Sequence, residues 1–71
     1  MYVRHEIGYI TKRGGQVNLI NDAGVETLVY IDLVKAEDGS ITGFKPKTKN
    51  APEVEYLTAN KEAVLADIVK A

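Results

Sequence analysis

The fold class this 71-residue chain predicts is α+β, an antiparallel β-meander of four or five strands with one C-terminal helix packed on one face. Three observations predict it. Short turns ending in glycine recur at Lys12-Arg13-Gly14-Gly15, Asn21-Asp22-Ala23-Gly24 and Ala36-Glu37-Asp38-Gly39. The runs between them are rich in Val, Ile, Leu and Tyr, and the final segment changes to a helical period. A type I turn followed by one left-handed residue is a common hairpin closure, and glycine fills the left-handed position without steric cost. The expected layout is a single domain over 1–71: meander 2–45, loop 46–52, short edge strand 53–57 and helix 59–70. Curling of the sheet toward a half-barrel is the alternative.

The first strand, residues 2–11, alternates, with Val3, His5, Ile7, Tyr9 and Thr11 on its inward face. A turn pairing Lys12 with Gln16 sets Thr11 opposite Val17 and Tyr9 opposite Leu19, so the inward faces of two strands coincide. The second turn, by the same geometry, sets Leu19 opposite Thr27 and Val17 opposite Val29. The third strand, residues 25–35, is apolar on both sides: Val25, Val29, Ile31 and Leu33 on one, Leu28, Tyr30 and Val34 on the other. A strand buried on one side only should alternate, so this pattern predicts a central strand covered twice. The third turn decides the side taken by Phe44. A two-residue turn pairs it with Leu33 on the core face; a three-residue bulged turn, favoured by the spacing of the earlier turns, sets it opposite Asp32 on the other face.

Lys45-Pro46-Lys47-Thr48-Lys49-Asn50-Ala51-Pro52 has no apolar period and reads as a loop. Glu53-Val54-Glu55-Tyr56-Leu57 reads as a fifth strand with Val54 and Leu57 on opposite faces. From Thr58 or Asn60, either able to cap, the chain is helical, and Val64, Leu65, Ile68 and Val69 form one stripe. A helix of about three turns is unstable alone in water, so the stripe must lie on the sheet.

A chain this short buries only about 60% of its unfolded surface and needs additional stabilisation. Cysteine is absent, which excludes disulfides and thiolate metal sites, and His5 is the only histidine. No metal or cofactor is expected, and association with a second copy is the remaining device. Nine basic against ten acidic residues give a net charge of −1, with no global field for nucleic acid or anionic membranes. No stretch approaches a membrane span and the N-terminal residues lack a signal-peptide core, so a cytoplasmic location is expected.

The sequence supplies no catalytic constellation. His5 and Glu6 are strand neighbours pointing to opposite faces, and His5 is expected as a hydrogen-bonded residue at the rim of the sheet. Ser40 follows a turn glycine and serves the turn. Glu53 and Glu55 share a strand face, where charge on an edge deters strand pairing. Arg13-Gly14-Gly15 leads into a strand, whereas a phosphate cradle leads into a helix.

Partner contact is the expected function. With the helix on one face, Ile20, Leu28, Tyr30, Val34 and Phe44 are left on the other, an apolar patch that a soluble monomer avoids and a second copy would cover. The chain is therefore expected to be a small non-enzymatic binding or assembly protein, self-associating, of the size of phage or bacterial accessory proteins and inhibitors. The alternative is a nucleic-acid-binding module using the basic loop residues Lys12, Arg13, Lys45, Lys47 and Lys49, with tyrosines for stacking. The turn motifs are generic hairpin chemistry, and no longer family signature lies around them.

Overall fold

The computed structural model describes all 71 residues. Four strands, β1 (Tyr2–Ile10), β2 (Gly14–Asn21), β3 (Glu26–Lys35) and β4 (Ile41–Pro46), precede two helices, α1 (Ala51–Ala59) and α2 (Lys61–Lys70). Every strand is antiparallel to its neighbour in the order β1-β2-β3-β4. The meander is as expected, and the sheet is open, without closure toward a barrel. Both helices lie on one face of it, where Val17, Leu19, Val29, Ile31, Phe44, Leu57, Val64 and Ile68 make the buried core. Of the anticipated helical stripe, Val64 and Ile68 are buried, Leu65 is half-buried and Val69 is exposed.

Residues 53–57 are helical, not a fifth strand. The cause lies immediately upstream: Asn50 is extended and its side chain accepts from the Glu53 N–H, Pro52 stands in the first turn where its missing N–H costs nothing, and Glu53 faces the positive helix end. On a helix, Glu53 and Leu57 fall on one face, and both are buried. The helices meet at Asn60, which serves as the C-cap of α1 and the N-cap of α2.

Each hairpin modifies the expected register differently. The second behaves as anticipated: Gly24 has φ +83°, Asn21 Oδ1 accepts from the Ala23 and Val25 N–H groups, and Val17 faces Val29. The first is tighter than the sequence suggests. Thr11 and Gly14 close it around Lys12 and Arg13, with the Thr11 N–H donating to the Gly14 carbonyl at 2.7 Å. Gly14 and Gly15 are strand residues, and what demands glycine there is close approach: a Cβ on Gly14 would collide with the Ile31 carbonyl. Tyr9 therefore faces Gln16, while Ile7 faces Val17 and His5 faces Leu19.

β1 also carries two irregularities, at Val3 and Gly8, each of which reverses the facing of the residues beyond it. Tyr2, His5, Ile7 and Ile10 point inward as a result, and Val3 and Tyr9, both expected inward, are exposed. The third hairpin has the three-residue bulged turn, with Gly39 at φ +89° and Ala36 bonded to Ser40 at 2.8 Å. A second irregularity between the Lys35–Ile41 and Val34–Gly43 pairs then shifts the register by one residue. Phe44 consequently faces Leu33 and enters the core, which corrects the expectation that the bulged turn would send it to the other face.

Candidate functional site

The face of the sheet opposite the helices is the candidate site, and the strand register maps it row by row. Arg4, Ile20 and Glu26 form the first row; Glu6, Asn18 and Leu28 the second; Tyr9, Gln16 and Tyr30 the third. Lys47 extends the third row through its N–H bond to the Tyr30 carbonyl, and Gly14, Asp32 and Lys45 form the fourth. Val34 lies beyond them, beside Gly43.

Of the five residues expected on this face, three are there and accessible: Leu28 is 53% exposed, Tyr30 49% and Val34 38%. Ile20 is on this face by register, in the row of Arg4 and Glu26, but only 1% exposed, so it offers a partner no surface. Phe44 is lost to the core. In exchange the face gains Tyr9, 48% exposed, which the sequence pattern assigns inward. Gly8 was the available signal, since glycine inside a strand often marks a bulge.

Tyr9 and Tyr30 stand one strand apart on either side of Gln16, about 10 Å from strand to strand. Between them Gly14 leaves a shallow depression of about 170 Å³ bordered by Arg13, Asp32 and Lys47. Lys47 reaches Asp32 at 3.4 Å in an exposed pair of small energetic weight. The hairpin-tip cations sit at the same end, because the Arg13 carbonyl accepts from the Leu33 N–H. Lys12, Arg13, Lys45, Lys47 and Lys49 are all exposed. The alternative cation set is thus partly assembled: Arg13, Lys45 and Lys47 flank the open face, while Lys49 lies on the following loop.

On the covered face His5 is hydrogen-bonded at the sheet rim. Its Nε2 lies 2.7 Å from Asp67 Oδ2 on α2 and its Nδ1 2.8 Å from the Tyr56 hydroxyl on α1. An ionised carboxylate only accepts, so Nε2 carries a proton, and in the neutral imidazole Nδ1 accepts from the Tyr56 O–H. Burial, with the Asp67 charge adding to it, raises the Tyr56 pKa above its ordinary value of 10.0. The phenol is held in its neutral donor form, the reverse of nucleophile activation. The Tyr2 ring meets that of Tyr56 edge-on at 6.3 Å. Tyr56 and Asp67 escape a sequence reading because their segments had to be placed before their contacts with His5 could exist. One residue can therefore bolt both helices to β1.

No group of three His, Cys, Asp or Glu side chains is arranged to hold a metal ion, and no helix is long and apolar enough to cross a membrane. Comparisons with protein-family models, curated proteins and solved structures each return no match.

Proposed function

We propose that this chain is a non-enzymatic binding protein whose working surface is the open face of the sheet and whose first partner is a second copy of itself. One observation carries the reading: β3, an interior strand, presents Leu28, Tyr30 and Val34 to water while its other side is sealed by the helices. Apolar side chains of this size on an interior strand contribute little to folding when wet, and pairing would add the buried area that a small domain lacks. A cytoplasmic setting suits a chain with no cysteine to oxidise, and an accessory or inhibitory role fits a surface without chemistry. Sedimentation velocity across micromolar concentrations tests the proposal: the wild type should show a concentration-dependent shift toward dimer that Tyr30→Asp abolishes. A wild type that stays monomeric removes it.

A second reading, a nucleic-acid-binding module, is favoured by the arrival of Tyr9 beside Tyr30 with Arg13 and Lys47 at the rim. Paired exposed aromatics with flanking cations suit single-stranded bases and their phosphates. Its signature is different. Oligonucleotide binding would weaken steeply as salt rises, and would be lost on replacing Arg13 and Lys47.

A further inference from the structure

Charge on the open face is sorted by end. Arg4, Glu6 and Glu26 stand at one end, one cation against two carboxylates, net −1; Asp32, Lys45 and Lys47 stand at the other with Arg13 at its rim, three cations against one carboxylate, net +2. Each end closes one pair internally, Arg4 with Glu6 at 2.9 Å and Lys47 with Asp32 at 3.4 Å. Among the charges of the strand rows, Glu26 and Lys45 are left without an ionic partner in the chain, as is Arg13 at the hairpin tip. Glu26, Leu28, Tyr30 and Asp32 are successive same-face residues of β3, and Lys45 is opposite Asp32. Along the strand, Glu26 and Lys45 therefore lie equally far from the midpoint between Leu28 and Tyr30.

We infer that the second copy docks face to face about a two-fold axis that lies midway between the two sheets and parallel to them, runs across the strands and passes over the midpoint between Leu28 and Tyr30. The inference rests on the self-association reading and adds its geometry. Such an axis reverses β3, so Leu28 of each copy meets Tyr30 of the other and the Glu26 end of each meets the Lys45 end of the other. Glu26 of each copy then lies over Asp32 of the other, whose charge Lys47 already meets, and the unpaired Lys45 one strand to the side is its match, once on each side of the axis. An axis parallel to the strands would instead bring like ends together, Glu26 beside Glu26 and Lys45 beside Lys45. Packed sheets sit about 10 Å apart with strands rotated by about 30°, a geometry in which a lysine one strand to the side can reach across. Four strands and five rows give a footprint on the order of 500 Å² per copy, at the low end for a stable pair, so the expected association is micromolar.

Sedimentation equilibrium at low salt on the intact chain tests this with four proteins: wild type, Glu26→Lys, Lys45→Glu and Tyr30→Asp. Both charge reversals are at exposed strand positions, and circular dichroism checks that each variant folds. The wild type should dimerise, and each charge reversal alone should weaken it by about tenfold, because symmetry replaces two attractions by two repulsions. An equimolar mixture of the two reversed proteins should form a heterodimer within about threefold of wild-type affinity, since every charge contact is then again between opposite signs. A dimer that Tyr30→Asp destroys but that ignores both reversals, or a mixture no stronger than its components, overturns this axis and leaves the self-association reading standing. A wild type monomeric up to about 200 μM overturns both, as does a dimer indifferent to Tyr30→Asp. A monomer that binds a single-stranded oligonucleotide through Tyr9 and Tyr30 assigns the face to nucleic acid instead.

Discussion

The two sides of β3 carry residues of similar size and meet opposite fates. Val29 and Ile31 are sealed beneath the helices, whereas Leu28 and Tyr30, interleaved with them, stand in water. What separates them is which side the helices cover. α1 and α2, which follow β4, both lie on one side, held there by Leu57, Val64 and Ile68 inside and by the His5 bridge at the rim. Burial of an aliphatic side chain contributes about 1.5–3 kcal/mol, so the inner side accounts for the fold while the outer side leaves that driving force unspent. One core is closed by the helices, and the sheet's other face keeps Leu28, Tyr30 and Val34 in water.

The largest test of that contrast is a pair of truncations. Ile68→Ala should cost about 2–5 kcal/mol, a large share of the stability of any small domain, because it opens a cavity between α2 and the sheet. Leu28→Ala, measured on dilute protein where no partner contributes, should stay within about 0.5 kcal/mol. Urea unfolding gives both values, and equal losses would show that the outer face is covered within a single chain.

Next in size is the bolt that keeps the helices on their side. His5→Ala leaves the Tyr56 hydroxyl and the Asp67 carboxylate without their partner, at a cost of about 1–3 kcal/mol. Adding Tyr56→Phe to His5→Ala should cost less than Tyr56→Phe alone, a non-additivity that reports the direct bond. If the two changes add, the bond carries no stabilisation and shape alone seats the helices.

Legibility divides along the same line between local and non-local cause. The meander, the second hairpin with its Val17–Val29 register, and the helix over α2 follow from turn residues and periodicity, which act over a few positions. Tyr9, Phe44 and the α1 segment do not. Tyr9 is reversed by an irregularity at Gly8 and Phe44 by one beside Thr42, and a one-residue slip exchanges faces however good the alternation looks. α1 was legible in principle, since Asn50-Ala51-Pro52-Glu53 is a helix start, but Val, Tyr and Leu within it suit a strand equally well. The open face was anticipated as a surface while its membership changed: Leu28, Tyr30 and Val34 stay, Ile20 and Phe44 leave, Tyr9 enters. His5 at the rim was foreseen as hydrogen-bonded, but its partners are 51 and 62 residues away in sequence, beyond any local pattern.

The cap that decides α1 gives a smaller effect. Asn50→Ala removes the acceptor for the Glu53 N–H and should lower stability by about 1 kcal/mol, read as a drop in urea midpoint. Asn50→Asp should keep most of it, since an aspartate oxygen accepts as well and its charge suits the helix end. Loss with both substitutions would place the role of Asn50 elsewhere than in capping.

The smallest effects are titrations, and they separate covered from exposed regions by direction. Tyr56, on the covered face, has its pKa raised above 10.0, so the stability it contributes is complete below pH 10 and is lost as pH climbs through the raised value. Asp38, at the tip of the β3–β4 hairpin, accepts from the Ser40 hydroxyl at 2.6 Å and the Ser40 N–H at 2.9 Å. The hydroxyl bond first, and then the backbone bond, lower its pKa below 3.8, so its contribution is present above pH 3.8 and disappears as pH falls through the lowered value. Proton NMR should show the consequence as two local events: amides near Ser40 shifting in acid, and Tyr56 ring signals moving only in strong alkali. Ser40 amides indifferent to acid would show that Asp38 is not the acceptor that ties the hairpin tip.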